Sequence, residues 1–115
     1  MKIQKITKKD EFSHIFKNGN FISFNCFTIN YAEKLTKKNN SLPRYGVIAS
    51  KKIGNAVKRN FAKRRVKALK NILCNSGKKE LDYVFVIKKK ILNRKFKMLS
   101  LELEIALDKI KKITS

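Results

Sequence analysis

YGVIASKKIGNAVKRNFAKRRVKALKNILCNSGKKELDYVFVIK, Tyr45 to Lys88, is the stretch on which the fold turns. Tyr45 to Ser50 has an extended pattern. Leu81 to Ile87 is nearly all apolar without alternation, which predicts a strand covered on both faces. Between them, Gly54-Asn55 supplies a break and an N-cap, and apolar residues then recur every three or four positions until Asn75-Ser76-Gly77 ends the pattern. The prediction is a helix that starts after Gly54, is capped by Asn55 and runs to about Asn75. Strand, helix and strand in that order make a parallel βαβ crossover, for which the right hand is the physical default.

The flanks supply the remaining elements. Thr7-Lys8-Lys9-Asp10 has the form of a capping box with Thr7 as N-cap, and Phe12, Ile15 and Phe16 share one face of a short helix ending near Gly19. Phe21 to Tyr31 is rich in β-branched and aromatic residues and reads as a strand. Glu33 to Pro43, with Asn39-Asn40-Ser41, reads as a loop. Leu99, Leu103, Ala106, Ile110 and Ile113, spaced by four, three, four and three, define a closing amphipathic helix with Ser100 as its cap. No repeat or linker interrupts the 115 residues, a length that suits one domain over 1–115.

Charge points to the partner. The formal net charge is +21 and the pI about 10.3. Between Glu33 and Glu80 there are fifteen Lys and Arg and no acidic residue. Such segregation predicts one basic face turned toward a polyanion. The start MKIQKITKKDEF has no apolar h-region, and the longest strongly apolar run, Tyr83 to Ile87, is too short for a bilayer, so a cytoplasmic protein with no membrane partner is expected. Cys26 and Cys74 lie far apart and only His14 could join them, which is too few ligands for zinc. Both thiols are expected buried and reduced, and His14 is expected at the surface without a catalytic partner.

On a helical projection at about 100° per residue, Val57, Phe61, Ala68 and Ile72 gather in one arc and Ala62, Val66, Leu69 and Leu73 in the next, together expected as a broad buried face. Lys58 and Arg65 fall inside that arc and are expected to snorkel or to pass the sheet edge. Arg59, Lys63, Lys67 and Lys70, with Asn60 and Arg64, take the opposite side. Like charges repeated on a helix cost a few tenths of a kcal/mol per pair, a repulsion that an anionic partner would relieve. Arg and Asn add directional donors for phosphate, ribose and base edges, and Lys51 and Lys52 stand before the helix, where free N–H groups also favour an anion.

Ser50-Lys51-Lys52-Ile53-Gly54-Asn55-Ala56-Val57, followed by Arg59-Asn60 and Lys63-Arg64, resembles the signature of the protein component of bacterial ribonuclease P. The likeness extends to Asp10–Gly19 with Phe12 and Phe16, to Asn25–Tyr31 and to Asp82–Lys88. It implies an α+β fold: a two-layer α/β sandwich with an about four-stranded mixed sheet, three helices and a left-handed βαβ crossover. It also implies an RNA-binding subunit that assists a catalytic RNA in removing the 5′ leader from precursor tRNA. The enzyme would be the holoenzyme, with the RNA carrying the chemistry and no catalytic or metal-ligating residue on the protein. No cofactor is expected on the protein alone, and Mg2+ is expected in the RNA-containing holoenzyme. The partners implied are ribonuclease P RNA and precursor tRNA, with no DNA.

By this resemblance Lys51, Lys52, Asn55, Arg59, Asn60, Lys63, Arg64, Arg65, Lys67 and Lys70 contact RNA. Phe12, Phe16, Thr28, Asn30 and Lys88 line a cleft for the single-stranded leader. The chain departs from the family pattern where Phe61 replaces an arginine, Lys67 stands for arginine, Arg65 for an aliphatic residue and Asn30 for a frequent aromatic. Alternation on the strand sets Cys26, Thr28 and Asn30 against Phe27, Ile29 and Tyr31, and Phe21, Phe24 and Phe27 are expected in the core. A small ribosomal or ribosome-associated RNA-binding protein is the alternative from charge and size. A DNA reader would need its helix presented to a major groove, and an autonomous nuclease clustered carboxylates.

Overall fold

The computed structural model describes residues 3–34 and 42–114, so the turn expected at Asn39-Asn40-Ser41 lies outside the described residues. The elements are β1 (Gln4–Lys5), α1 (Lys9–Asn18), β2 (Asn20–Ser23), β3 (Phe27–Glu33), β4 (Arg44–Ile48), α2 (Ala56–Lys67), α3 (Lys70–Ser76), β5 (Leu81–Ile87) and α4 (Phe96–Thr114). The strands form one mixed sheet in the order β1-β4-β5-β3-β2. As the sequence predicts, β4 and β5 are parallel neighbours joined through the basic helix, with Val47 opposite Phe85. β3 runs antiparallel to β5, with Tyr31 opposite Tyr83. Paired on both edges, β5 is the centre of the sheet, and its side chains are buried on both faces apart from a half-buried Val86.

The two faces carry unequal layers. Phe27, Ile29, Tyr31, Tyr83 and Phe85 pack against α2, α3 and α4 through Ala62, Val66, Leu73, Leu99, Leu103, Ala106 and Ile110. On the other face Ala32 and Val84 meet Ile15 of α1, with Phe12, Ile48 and Val86 partly buried beside them. The α+β sandwich is as expected, with five strands rather than about four and with α1 as a thin layer on the second face.

Several local expectations are corrected. Phe21 to Tyr31 is a hairpin of β2 and β3, with Asn25 and Cys26 in its turn. Neither Gly nor Pro marks that turn. It is held instead by backbone bonds from Phe24 N to Phe27 O, 2.8 Å, and from Lys88 N to Cys26 O, 2.9 Å. Cys26, outside the strand, escapes its alternation and packs in the main core rather than beside Thr28 and Asn30. Burial, with Glu102 nearby, pushes its thiol pKa up; Cys74 is half-buried and free. Phe21 is 66% exposed rather than core, because β2 is an edge strand. Helix α1 starts one residue later than expected, with Lys8 rather than Thr7 at its N-cap and no side-chain cap bond. Ser100 lies inside α4, its hydroxyl donating to Phe96 O, and Ile113 is 63% exposed, past Ile110, the last buried residue of α4.

The long central helix is two segments. At Ala68–Leu69 the backbone tightens, with Leu69 N donating to Val66 O at 2.9 Å, and α3 then resumes. Its buried side is the stripe Ala62, Val66, Leu69 and Leu73, with half-buried Ile72 packed beside it; Val57, Phe61 and Ala68 are exposed. The intervening Lys58 and Arg65 mark where that stripe ends, so the expected broad face divides into a buried part and a solvent-facing part.

Candidate RNA interface

The basic surface is built from a turn and a helix. Ile53 is buried and fixes the short helical turn Lys51–Ile53, leaving Lys51 and Lys52 in solvent. Gly54 then adopts φ 142°, a left-handed-side conformation in which a Cβ would also lie 2.7 Å from the Lys58 side chain. This glycine lets the chain turn sharply into α2, where Asn55 caps the helix by accepting from Lys58 N at 2.9 Å. Ile53, Gly54 and Asn55 of the signature thereby have structural reasons that precede any contact with a partner.

Along α2, Asn60, Arg64 and Lys67 are exposed, as is Lys70 at the start of α3, while Arg59 and Lys63 are half-buried. Arg59 donates to Gly54 O at 3.2 Å, which aims its guanidinium along the turn. Among the described residues the ion pairs include Arg44, Arg94 and Lys112, and none uses a cation of α2. The face is therefore a cluster of uncompensated charge. It also extends beyond the helix: burial, and then Lys67 and Lys63, lower the pKa of Lys5 on β1. Lys5 was not expected here, since a strand of two residues leaves no pattern to read.

Arg65 is placed differently from its neighbours. It is half-buried, donates to the Arg94 carbonyl and sets its guanidinium 5.5 Å from the centre of the Phe61 ring. Arg94 in turn pairs with Glu102 at 3.1 Å, so this arginine joins α2 to α4.

The second surface lies on the α1 side of the sheet. The Phe12 ring rests directly on Gly46, where a Cβ would come within 2.6 Å of it. Only glycine leaves room for that close approach. Asn30, Val84 and Gly46 form one cross-strand row, and Thr28, Val86 and Ile48 form the next. Thr28, Asn30, Ile48 and Val86 are half-buried, and Phe16 is 45% exposed. Lys88 donates through Nζ to Ser23 Oγ and to Phe24 O, both at 2.6 Å, and so anchors the hairpin at the end of this strip. Phe21 sits directly opposite Asn30 on β2 and shares its face, a position that a single continuous strand could not have revealed.

Helix α1 is fixed by charge as well as by packing. Buried Asp82 accepts from Arg44 Nε at 2.9 Å and from its terminal nitrogen at 2.6 Å, and Glu11 of α1 reaches the same nitrogen at 2.8 Å. Hydrogen bonding to Asp82 raises the Arg44 pKa further against the cost of burial. His14 is half-buried, with Asn18 donating to Nδ1 at 3.0 Å and Nε2 3.3 Å from Glu33 O, one neutral tautomer satisfying both contacts. Among the described residues no group of three or more His, Cys, Asp or Glu is placed to hold a metal, and no helix is long and apolar enough to cross a membrane.

An α+β sheet with a helix whose charged residues are all cations on one side and a half-open aromatic strip on the other defines a small basic protein of the RNA-binding class. Residues 1–111 match the family model described as Ribonuclease P, and the chain belongs to that family. It is 33% identical over 98 residues to the ribonuclease P protein component of Carboxydothermus hydrogenoformans, covering 85% of this chain and 83% of the relative. To the ribonuclease P protein component of a Nitratiruptor species it is 35% identical over 113 residues, covering 96% and 94%. The solved RNase P protein of Staphylococcus aureus has the same fold, with a TM-score of 0.78 at 24% identity over 96% of this chain and 97% of that one.

Proposed function

We propose that this protein is the RNA-binding subunit of a bacterial ribonuclease P, in which a catalytic RNA removes the 5′ leader of precursor tRNA. The observation that carries the reading is the basic face of α2, continued by Lys70 at the start of α3, where Lys63, Arg64, Lys67 and Lys70 have no acidic partner among the described residues. Lys51, Lys52, Asn55, Arg59 and Asn60 continue that surface toward the RNA. Phe12, Phe16, Thr28 and Asn30, with Lys88 at the end of the strip, receive the leader. In this reading the RNA carries the chemistry and holds the magnesium of the holoenzyme. The assembly works in the cytoplasm.

The test is reconstitution with a bacterial ribonuclease P RNA at a magnesium concentration too low for that RNA alone. Adding the protein restores cleavage at the leader junction, whereas the protein by itself leaves precursor tRNA intact. Site-specific cleavage by tag-free protein without RNA overturns the reading.

A further inference from the structure

A groove of about 380 Å³ lies between α2 and the helical turn Lys89–Leu92, at the border between the exposed apolar arc of α2 and its basic face. Its floor is apolar, from Val57, Phe61 and Leu92. Val57 is 74% exposed and Phe61 37% exposed, an unusual cost for two neighbouring apolar residues on one helix turn. Its rim is cationic, from Lys58, Arg64 and Lys89, and no acidic side chain among the described residues lines it. The guanidinium of Arg64 lies 6.0 Å from the Phe61 ring centre and that of Arg65 5.5 Å, so the ring is held in place while part of it stays open.

We propose that this groove binds one unpaired nucleotide of the partner RNA, its base against Phe61 and its phosphates on Lys58, Arg64 and Lys89. The size suits one small ligand, since clefts for such molecules measure about 300–1,000 Å³. The rim decides between occupants. An apolar protein side chain seated here would strip water from three cations without pairing them, whereas a nucleotide gives the floor an aromatic face and the rim its counter-charge. Asn93 at the mouth carries an amide able to meet a base edge. Arg64 also belongs to the exposed basic face of α2, so the site is continuous with the surface already assigned to RNA and rests on that assignment.

The experiment uses the full protein bound to a bacterial ribonuclease P RNA. A photo-crosslinking benzoylphenylalanine at exposed Lys90, beside the groove but outside its lining, is expected to attach to one unpaired nucleotide, read as a single reverse-transcription stop. Phe61→Leu is expected to weaken RNA binding about 5- to 150-fold, the equivalent of roughly 1 to 3 kcal/mol of stacking, and to leave the salt dependence unchanged because no counterion is released. Phe61→Tyr keeps the ring and the affinity. Crosslinks confined to duplex backbone, no crosslink, or a Phe61→Leu protein that is folded and binds like the parent would each overturn the groove. Failure of the parent protein to bind the RNA or to support cleavage is a different result, and removes the functional reading itself.

Discussion

The two faces of the sheet are made by the same strands, yet one is closed and the other half open. Under α4, Phe27 and Tyr83 are 0% exposed and Phe85 2%. Under α1, one residue along each strand, Thr28, Asn30 and Val86 remain half-buried, and Phe21 on β2 is 66% exposed. Helix length accounts for much of this: α4 spans nineteen residues, α1 ten, and α1 is drawn toward the Arg44–Asp82 end of the sheet by Glu11. Removing apolar surface from water stabilises the fold, so a small protein concentrates burial on one face. What the second face lacks in coverage it has in accessible aromatic and polar groups. The contrast sets a sealed, stabilising face against an accessible one within a single sheet.

The largest effect is expected on the closed face. Phe85 packs edge-on against Phe27 with ring centres 5.7 Å apart. Phe85→Ala should cost about 3 to 5 kcal/mol, read from urea denaturation. A loss well under 1 kcal/mol would mean that this face is not the stabilising one.

Replacing Arg59, Lys63 and Lys67 together with alanine probes binding without touching either core. The slope of log affinity for RNA against log salt should flatten by roughly two to three units, about one for each phosphate that the variant no longer neutralises. Folding should persist, because like-charge repulsion falls as well. An unchanged slope with intact circular dichroism would detach the basic face from RNA.

The same division explains which features were legible in the sequence. Uniform burial made Leu81 to Ile87 readable as a central strand, and the Gly54-Asn55 pair gave the start of α2 because a positive φ and an N-cap have specific residue preferences. Charge segregation gave the basic face. The hairpin at Asn25–Cys26 was hidden because its turn lacks Gly and Pro and joins two strands of similar composition. The wide apolar arc of α2 was misread as one face although Lys58 and Arg65 divide it; periodicity reports spacing, not which arc meets the sheet. Phe21 and Lys5 joined their surfaces only through strand pairing, a long-range relation with no local signature.

Titration offers a smaller effect confined to the closed face. Burial pushes the Tyr83 phenol up to about 12, partly offset by the Lys78 N–H that its oxygen accepts at 2.9 Å. The folded state therefore holds this proton more tightly than the unfolded chain. The corresponding stability is complete below about pH 10 and is lost as pH rises toward about 12, amounting to about 2 to 3 kcal/mol. Tyr83→Phe should remove that alkaline loss relative to the parent. Lysine deprotonation affects both proteins alike, so the difference between their denaturation curves from pH 9 to about pH 11 isolates the phenol. Parallel curves would show that Tyr83 is not sealed from solvent.

The smallest expected effects fall on the open face, where they separate binding from packing most sharply. Phe12 rests on Gly46 and is half-buried, so Phe12→Ala should cost stability, though less than the about 3 to 5 kcal/mol of a fully buried ring. Phe16 and Phe21, at 45% and 66% exposure, have little packing to lose. If their rings receive unpaired leader bases, Phe16→Ala and Phe21→Ala should each weaken precursor tRNA binding by up to roughly 1 to 3 kcal/mol. Mature tRNA, having no leader, should bind as before. The diagnostic quantity is the ratio of precursor to mature affinity on the reconstituted complex, measured with leaders of decreasing length. That ratio should fall toward the leaderless value in the variants and should be unaffected by Phe85→Ala at temperatures where the protein stays folded. A ratio insensitive to Phe16 and Phe21 would leave the open face without a ligand, and the difference in coverage between the two faces would then reflect only the shortness of α1.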